Sequence, residues 1–287
     1  MPPLPSGFAP AKVNLALHVT GRRAGGYHEL DSLVVFAGIG DQLSAVAAPD
    51  LSLTVEGPFS AGVPTDGTNS VMRAARALAQ ARGVRVGARL KLTKTLPHAA
   101  GLGSASSDAA AAIRLLAGLW NVTPFAPDDP EVVALGADVP VCLAAPGAQW
   151  MTGIGERLAP AGPLPGVGLV LVNPNVAVPT GDVFARLERS SNPPLTELPA
   201  DRAPAAFAEW VAAQRNDLAP PAQALAPEIG RVLERLRRQP GILAAQMTGS
   251  GATCVGITKD VGAARQAARV LQLSEQSWWV VPAPILN

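Results

Sequence analysis

Residues 87–120 pass in order through an alternating run, GARLKLTKTLP, a small-residue stretch, HAAGLGSASS, and an alanine-rich run ending in IRLLAGLW. The alternation fits a strand that Pro97 ends, and Ile113, Leu116, Ala117 and Trp120 recur at helical spacing. Strand, loop and helix in that order demand a sheet with a helix packed on it. AKVNLALHV adds a strand with Ala11, Val13, Leu15, Leu17 and Val19 on one face and Lys12, Asn14, Ala16 and His18 on the other. SLVVF, QLSAV and LSLTV read as three short strands, and Thr68 or Asn69 caps a helix carrying Val71, Ala74, Ala75 and Leu78 on one side.

The second half continues the mixture. GVGLVLVNPN reads as a buried strand and TGDVFARLE as a helix, residues 190–204 as a loop, and PEIGRVLERLRRQ as a helix burying Ile229, Val232, Leu233 and Leu236. Strand ILAAQM, turn TGSGAT, strand CVGIT, helix VGAARQAARVLQL and strand SWWVVPA close the chain. Two helices against a small sheet imply an α+β, ferredoxin-like second lobe. A chain of 287 residues is long for one core. Two domains are expected, residues 1–160 and 161–287.

Lys and Arg number 23 against 22 Asp and Glu, and the one basic cluster, RVLERLRRQ, contains Glu234, so nucleic acid is not an expected partner. Five prolines break the longest charge-free stretch, 158–181, which excludes a membrane span there. MPPLPSGFAPAK has no basic segment followed by an apolar one, so no secretory signal is expected. Cys142 and Cys254, both in apolar runs, read as reduced packing residues of a cytoplasmic protein.

GLGSASS supplies small residues before a helix, which lets backbone N–H groups and the helix dipole converge on a phosphate. It also suits a tight strand-to-helix turn, and Asp108 in the helix that follows suits the dipole alone. The spacing is neither a P-loop nor a dinucleotide fingerprint. Asp138 is the single charge between Glu131 and Glu156, and Lys12 the single charge on its strand face. A buried carboxylate needs a cation, so the two make either a structural ion pair or a catalytic one. Taken singly, Phe184 suits a core, His28 a turn carbonyl and Lys94 a solvated strand end.

PAKVNLAL at 10–17, PHAAGLGSASSDAAA at 97–111 and MTGSGATCVG at 247–256 resemble the three motifs of the GHMP kinases, in order. GRRAGGYHEL, TNSVMRAA, LGADVPVCL, GIGE and VPTGDVF extend the resemblance over nearly the whole chain, toward the branch acting on a cytidine-diphosphate-linked methylerythritol in the non-mevalonate route to isoprenoids. It implies a two-lobed fold, the first lobe like ribosomal S5 domain 2, and ATP-dependent phosphorylation of the 2-hydroxyl with Mg²⁺, by a monomer or weak homodimer. It implies Lys12 and Asp138 as catalytic residues. ATP is assigned to Asn69, Lys94, Pro97, Ala99, Ala100, Gly101, Leu102, Gly103, Ser104, Ala105, Ser106 and Ser107; Ser106 and Ser107 are candidates for magnesium contact, but no metal ligand is assigned. The acceptor is assigned to Asn14, Tyr27, His28, Asp138, Thr180, Phe184, Gly249, Ser250 and Gly251. The branch usually reads GLGGGSSDA in its second motif. Here Ser104 and Ala105 stand where it has glycines, and would be strained if those positions need positive φ. The rivals are a GHMP kinase for homoserine, mevalonate or a sugar, and a nucleotide- or RNA-binding module without catalysis.

Overall fold

The computed structural model describes Leu4 and residues 7–287. The reading of the N-terminus rests in part on residues 1–3, 5 and 6, which lie outside the described residues. In chain order the elements are β1 (Phe8–Arg22), β2 (His28–Ala48), β3 (Ser52–Glu56), α1 (Ser70–Arg82), β4 (Gly87–Thr93), α2 (Ser104–Trp120), α3 (Pro130–Leu135) and α4 (Val139–Leu143). Then follow β5 (Gln149–Gly153), β6 (Arg157–Pro160), β7 (Gly168–Asn173), α5 (Thr180–Ala185), α6 (Pro204–Ala213), α7 (Ala219–Leu225) and α8 (Glu228–Arg237). The chain closes with β8 (Ile242–Met247), β9 (Cys254–Thr258), α9 (Val261–Ser274) and β10 (Trp279–Leu286). Two compact units interleave along the chain: residues 1–12, 39–98 and 103–146 form one, and 13–38, 99–102 and 147–287 the other.

In the first unit, β4 pairs antiparallel with β2 from Gln42 to Ala48 and parallel with β3. Helices α1 and α2 lie over these strands because their stripes match: Val71, Ala74, Ala75 and Leu78 from α1 join Ile113 and Leu116 from α2, with Leu90 and Leu92 from β4. Asn69 caps α1, its Oδ1 accepting the Val71 N–H at 2.8 Å.

In the second unit, β8, β9, β7 and β10 form an antiparallel sheet in that spatial order. With helices between β7 and β8 and α9 between β9 and β10, this is the ferredoxin-like connectivity expected. Ile229, Val232, Leu233 and Leu236 of α8 are buried with Ala264, Ala267 and Leu271 of α9. Also within this unit, β2 pairs with β5 from Leu30 to Val34, and β5 with β6.

One expectation changes. SLVVF and QLSAV are not separate strands but parts of the 21-residue β2. The glycines between them permit close neighbours: a Cβ on Gly38 would lie 2.7 Å from Pro284 Cγ, and one on Gly40 2.1 Å from Ala9 O. The polar face of β1 is buried like its apolar one. Lys12, Asn14, Ala16 and His18 are all buried. His18 is held by the 190–204 loop and its neighbour, Nδ1 lying 2.9 Å from Pro193 O and Nε2 accepting the Arg215 N–H at 3.0 Å. No helix among the described residues is long and apolar enough to cross a membrane.

Candidate active site

In the first unit, Lys12 Nζ lies 3.0 Å from Asp138 Oδ2, the lysine side chain 5% exposed and the carboxylate 34%. The sequence reading expected a buried Asp138. Its place just ahead of the five-residue α4 leaves the carboxylate partly open to solvent, so it keeps its ion pair and stays accessible. Gly103 sits beneath this pair. It adopts φ 59°, and a Cβ there would approach Lys12 Cε to 2.9 Å. Gly103 also precedes α2 with no side-chain cap, so the leading N–H groups of that helix, which lack intrahelical acceptors, are left for an anion.

Ser104 and Ala105 raised the question of strain. Both lie inside α2, and left-handed φ falls instead on Ala99, Gly101 and Gly103. The departure from glycine therefore costs no backbone strain. Ser107 Oγ donates to Pro10 O at 2.7 Å and is fully buried, which withdraws it as a magnesium contact and leaves the half-buried Ser106.

Lys94 is not a solvated strand-end charge. It is 2% exposed and its ammonium donates to Asp41 Oδ2 at 2.5 Å, to Asp108 Oδ2 at 2.7 Å and to Ser104 Oγ. Asp108 therefore serves more than the helix dipole: it is 3% exposed, and its Oδ1 has no protein partner. Burial raises its pKa to about 7, against the pull of Lys94 and with the push of Asp41. Asn69 spends its carboxamide on the α1 cap and on Pro64 O, a framework arrangement rather than a free recognition group.

In the second unit, Ala99–Leu102 meets the third glycine loop. Thr248 Oγ1 accepts the Asn14 N–H at 2.9 Å and donates to Gly101 O at 3.2 Å, while Thr253 N–H donates to Ala100 O at 3.2 Å. Asn216 Nδ2 donates to Met247 O at 2.7 Å and Gly249 O at 2.8 Å, fixing the same loop from the other side. Asn14 Nδ2 donates to Ser32 Oγ at 2.8 Å. Thr180 and Ser250 share a 2.8 Å hydroxyl contact. His28 stacks on Phe184, centroids 5.0 Å apart and planes 24° from parallel, and burial, followed by the Arg22 charge, holds the imidazole below its usual pKa. Tyr27 beside it is 64% exposed. Arg23 braces the hairpin, bonding Glu29 at 2.5 Å and Glu156 at 2.8 Å.

The sequence reading thus has Lys12, Asp138 and Gly103 assembled in one unit, and His28 with Phe184 and Thr180 with Ser250 in the other. It missed Asp41, Thr248, Asn216 and Ser32. Asp41 is the lone charge in the apolar run from Ser32 to Val46, the same signal that singled out Asp138. Asn216 precedes Leu218 by two residues and accepts its N–H, an Asx turn readable from NDL.

Residues 69–147 match the family described as GHMP kinases N terminal domain, and residues 198–274 match GHMP kinases C terminal. A 4-diphosphocytidyl-2-C-methyl-D-erythritol kinase of Jannaschia sp. is 53% identical, over 98% of this chain and 97% of that protein. One from Cereibacter sphaeroides is 51% identical, over 98% and 99%. The crystal structure of a 4-(cytidine 5'-diphospho)-2C-methyl-D-erythritol kinase superposes with TM-score 0.80 at 33% identity, covering 98% of both chains. A homoserine kinase from Cytophaga hutchinsonii shares the fold, with TM-score 0.64 at 16% identity over 100% of this chain and 97% of its own.

Proposed function

This chain belongs to the GHMP kinases, and from that membership we propose that it transfers the γ-phosphoryl group of ATP to the 2-hydroxyl of 4-diphosphocytidyl-2-C-methyl-D-erythritol. The observation that carries the chemistry is the Lys12–Asp138 pair over Gly103. Asp138 takes the hydroxyl proton as the acceptor oxygen attacks the γ-phosphorus. The bond to the β,γ-bridging oxygen breaks and ADP leaves with the electron pair. Lys12 holds the Asp138 carboxylate in place and neutralises charge developing on the transferred group. The N-terminal turn of α2, with Gly103 ahead of it, cradles the phosphates.

Magnesium takes one or two protein oxygens and fills its shell with phosphate and water, so a large acidic cluster is not required. The half-buried Ser106 hydroxyl in the first turn of α2 would offer one such oxygen, and the ion would supply charge neutralisation on the phosphates.

For the acceptor, the stacked His28–Phe184 pair supports cytosine recognition, since an aromatic face stacks on a base and a neutral imidazole bonds its edge. Tyr27, Asn14, Thr180 and the Gly249–Ser250–Gly251 loop complete that assignment. Both substrates are water-soluble phosphates, in keeping with a cytoplasmic enzyme working as a monomer or weak homodimer.

The test is magnesium-dependent ADP release with the cytidine acceptor, homoserine, mevalonate, galactose or no acceptor. Release with the cytidine acceptor alone is expected. Release with another alcohol would overturn the pocket assignment, and none with any acceptor would overturn the kinase reading.

A further inference from the structure

The Asp41 carboxylate grips the loop at both ends. Its Oδ1 accepts the N–H groups of Thr95 at 2.6 Å and Leu96 at 3.0 Å, the residues that lead into the 97–103 loop. Its Oδ2 accepts the Ser104 hydroxyl at 2.9 Å, at the residue where the chain leaves that loop and α2 begins. Lys94 holds Asp41 in place and spends its three ammonium protons on Asp41, Ser104 and Asp108. None is left for a nucleotide, so the adenosine contact expected of Lys94 does not fit this arrangement. All four side chains are buried, Asp41 completely.

We infer that Asp41 and Lys94 are positioning residues of the phosphate loop, clamping its entry and exit together, and that this chain closes the clamp through the Ser104 hydroxyl. Glycine at that position has no hydroxyl to offer, so Ser104 is a working replacement for the glycine usual in this branch. The clamp fixes the spacing between the Thr95–Leu96 segment and the first turn of α2, and with it the direction of that turn's amides. An anion held by backbone N–H groups is sensitive to that spacing, because each hydrogen bond weakens steeply with misalignment. The inference rests on the reading of this loop as the ATP phosphate site.

Ser104→Ala is the sharpest probe, because it removes one hydroxyl and leaves the Lys94–Asp41 ion pair intact, whereas Asp41→Asn or Lys94→Met strips a buried charge of its partner and risks misfolding. In calorimetry and steady-state kinetics, Ser104→Ala is expected to weaken ADP binding and raise KM for ATP about tenfold, because the hydroxyl's bonds to both Asp41 and Lys94 are lost. Adenosine affinity and KM for the acceptor stay unchanged, and Ser104→Thr, which keeps the hydroxyl, restores ADP binding. Two results would overturn the clamp: a fall in melting temperature with ADP binding intact, which makes the cluster merely structural, or an equal loss for adenosine and ADP, which makes it part of the nucleoside site. If the unmutated protein binds no ADP, the ATP reading itself fails and takes the inference with it.

Discussion

Gly103 carries two constraints in one residue, a left-handed φ of 59° and a Lys12 side chain where its Cβ would be. Gly103→Ala must therefore adopt a conformation costing about 1 kcal/mol and displace the lysine as well. The protein is expected to fold with slightly lower stability and to lose most of its kcat, read from turnover beside a urea unfolding curve. Full activity would disconnect Gly103 from the Lys12–Asp138 geometry. For Asp138→Asn, the 34% exposure of the carboxylate predicts normal folding, while loss of the proton acceptor lowers kcat by roughly 10²–10⁴-fold. Single-turnover phosphoryl transfer checks it, and a near-normal rate removes Asp138 from the base role. Lys12 and Asp138 were legible because each is a lone charge in an apolar context. Lys94 was not, since a lysine just past an alternating strand looks solvated until the carboxylates that bury it, from β2 and α2, are brought to it by tertiary folding.

Helices with sustained stripes, such as α1, α2 and α8, follow from periodicity because one face meets one core. The short α3, α4 and α7 escaped notice, being five to seven residues long, too short for a stripe to repeat. SLVVF and QLSAV read as two short strands, yet Gly38 and Gly40 between them continue β2 and make room for neighbouring chain. The glycine loops were legible as loops, but not their mutual fastening by Thr248, whose hydroxyl reaches Asn14 and Gly101, 234 and 147 residues away in sequence. Thr248→Val keeps the shape and removes the hydroxyl, breaking its bonds to the Asn14 N–H and the Gly101 carbonyl at a cost of about 1–3 kcal/mol. Reduced stability and reduced kcat are expected together, with Thr248→Ser recovering both. A Thr248→Val protein indistinguishable in both measurements would mean the fastening is incidental.

For the chain as a whole, the order of three motifs made the family legible, while charge balance restricted the partners only by exclusion. The pH dependence of global stability was hidden, because it depends on one carboxylate whose environment only the fold creates. Asp108 titrates at about 7 when folded and near the ordinary value of about 3.9 when unfolded. Between those values the folded chain holds a proton that the unfolded chain has released, so stability falls as pH rises through the window and the loss is complete above it. Lys94, just past β4, and Asp41 of β2 set this balance after burial; the Cys142 thiol on α4, pushed up by its own burial, stays neutral throughout. Other groups act in the opposite sense. His28, held below its usual pKa, adds stability as pH rises toward neutrality, but its ring is partly exposed and its share smaller. Burial pushes the Glu156 carboxyl up, but its bonds to Arg23 and to backbone N–H groups together hold it below its ordinary value, so its contribution is lost only as the pH falls through that lowered folded pKa. Stability should therefore peak near pH 5 and decline by on the order of 2 kcal/mol toward pH 8. Asp108→Asn, neutral at every pH, should flatten that decline and be the more stable protein at pH 8, as urea midpoints across the range would record. A wild-type protein as stable at pH 8 as at pH 5 would mean that Asp108 is ionised throughout and that Lys94 carries both carboxylates without a proton.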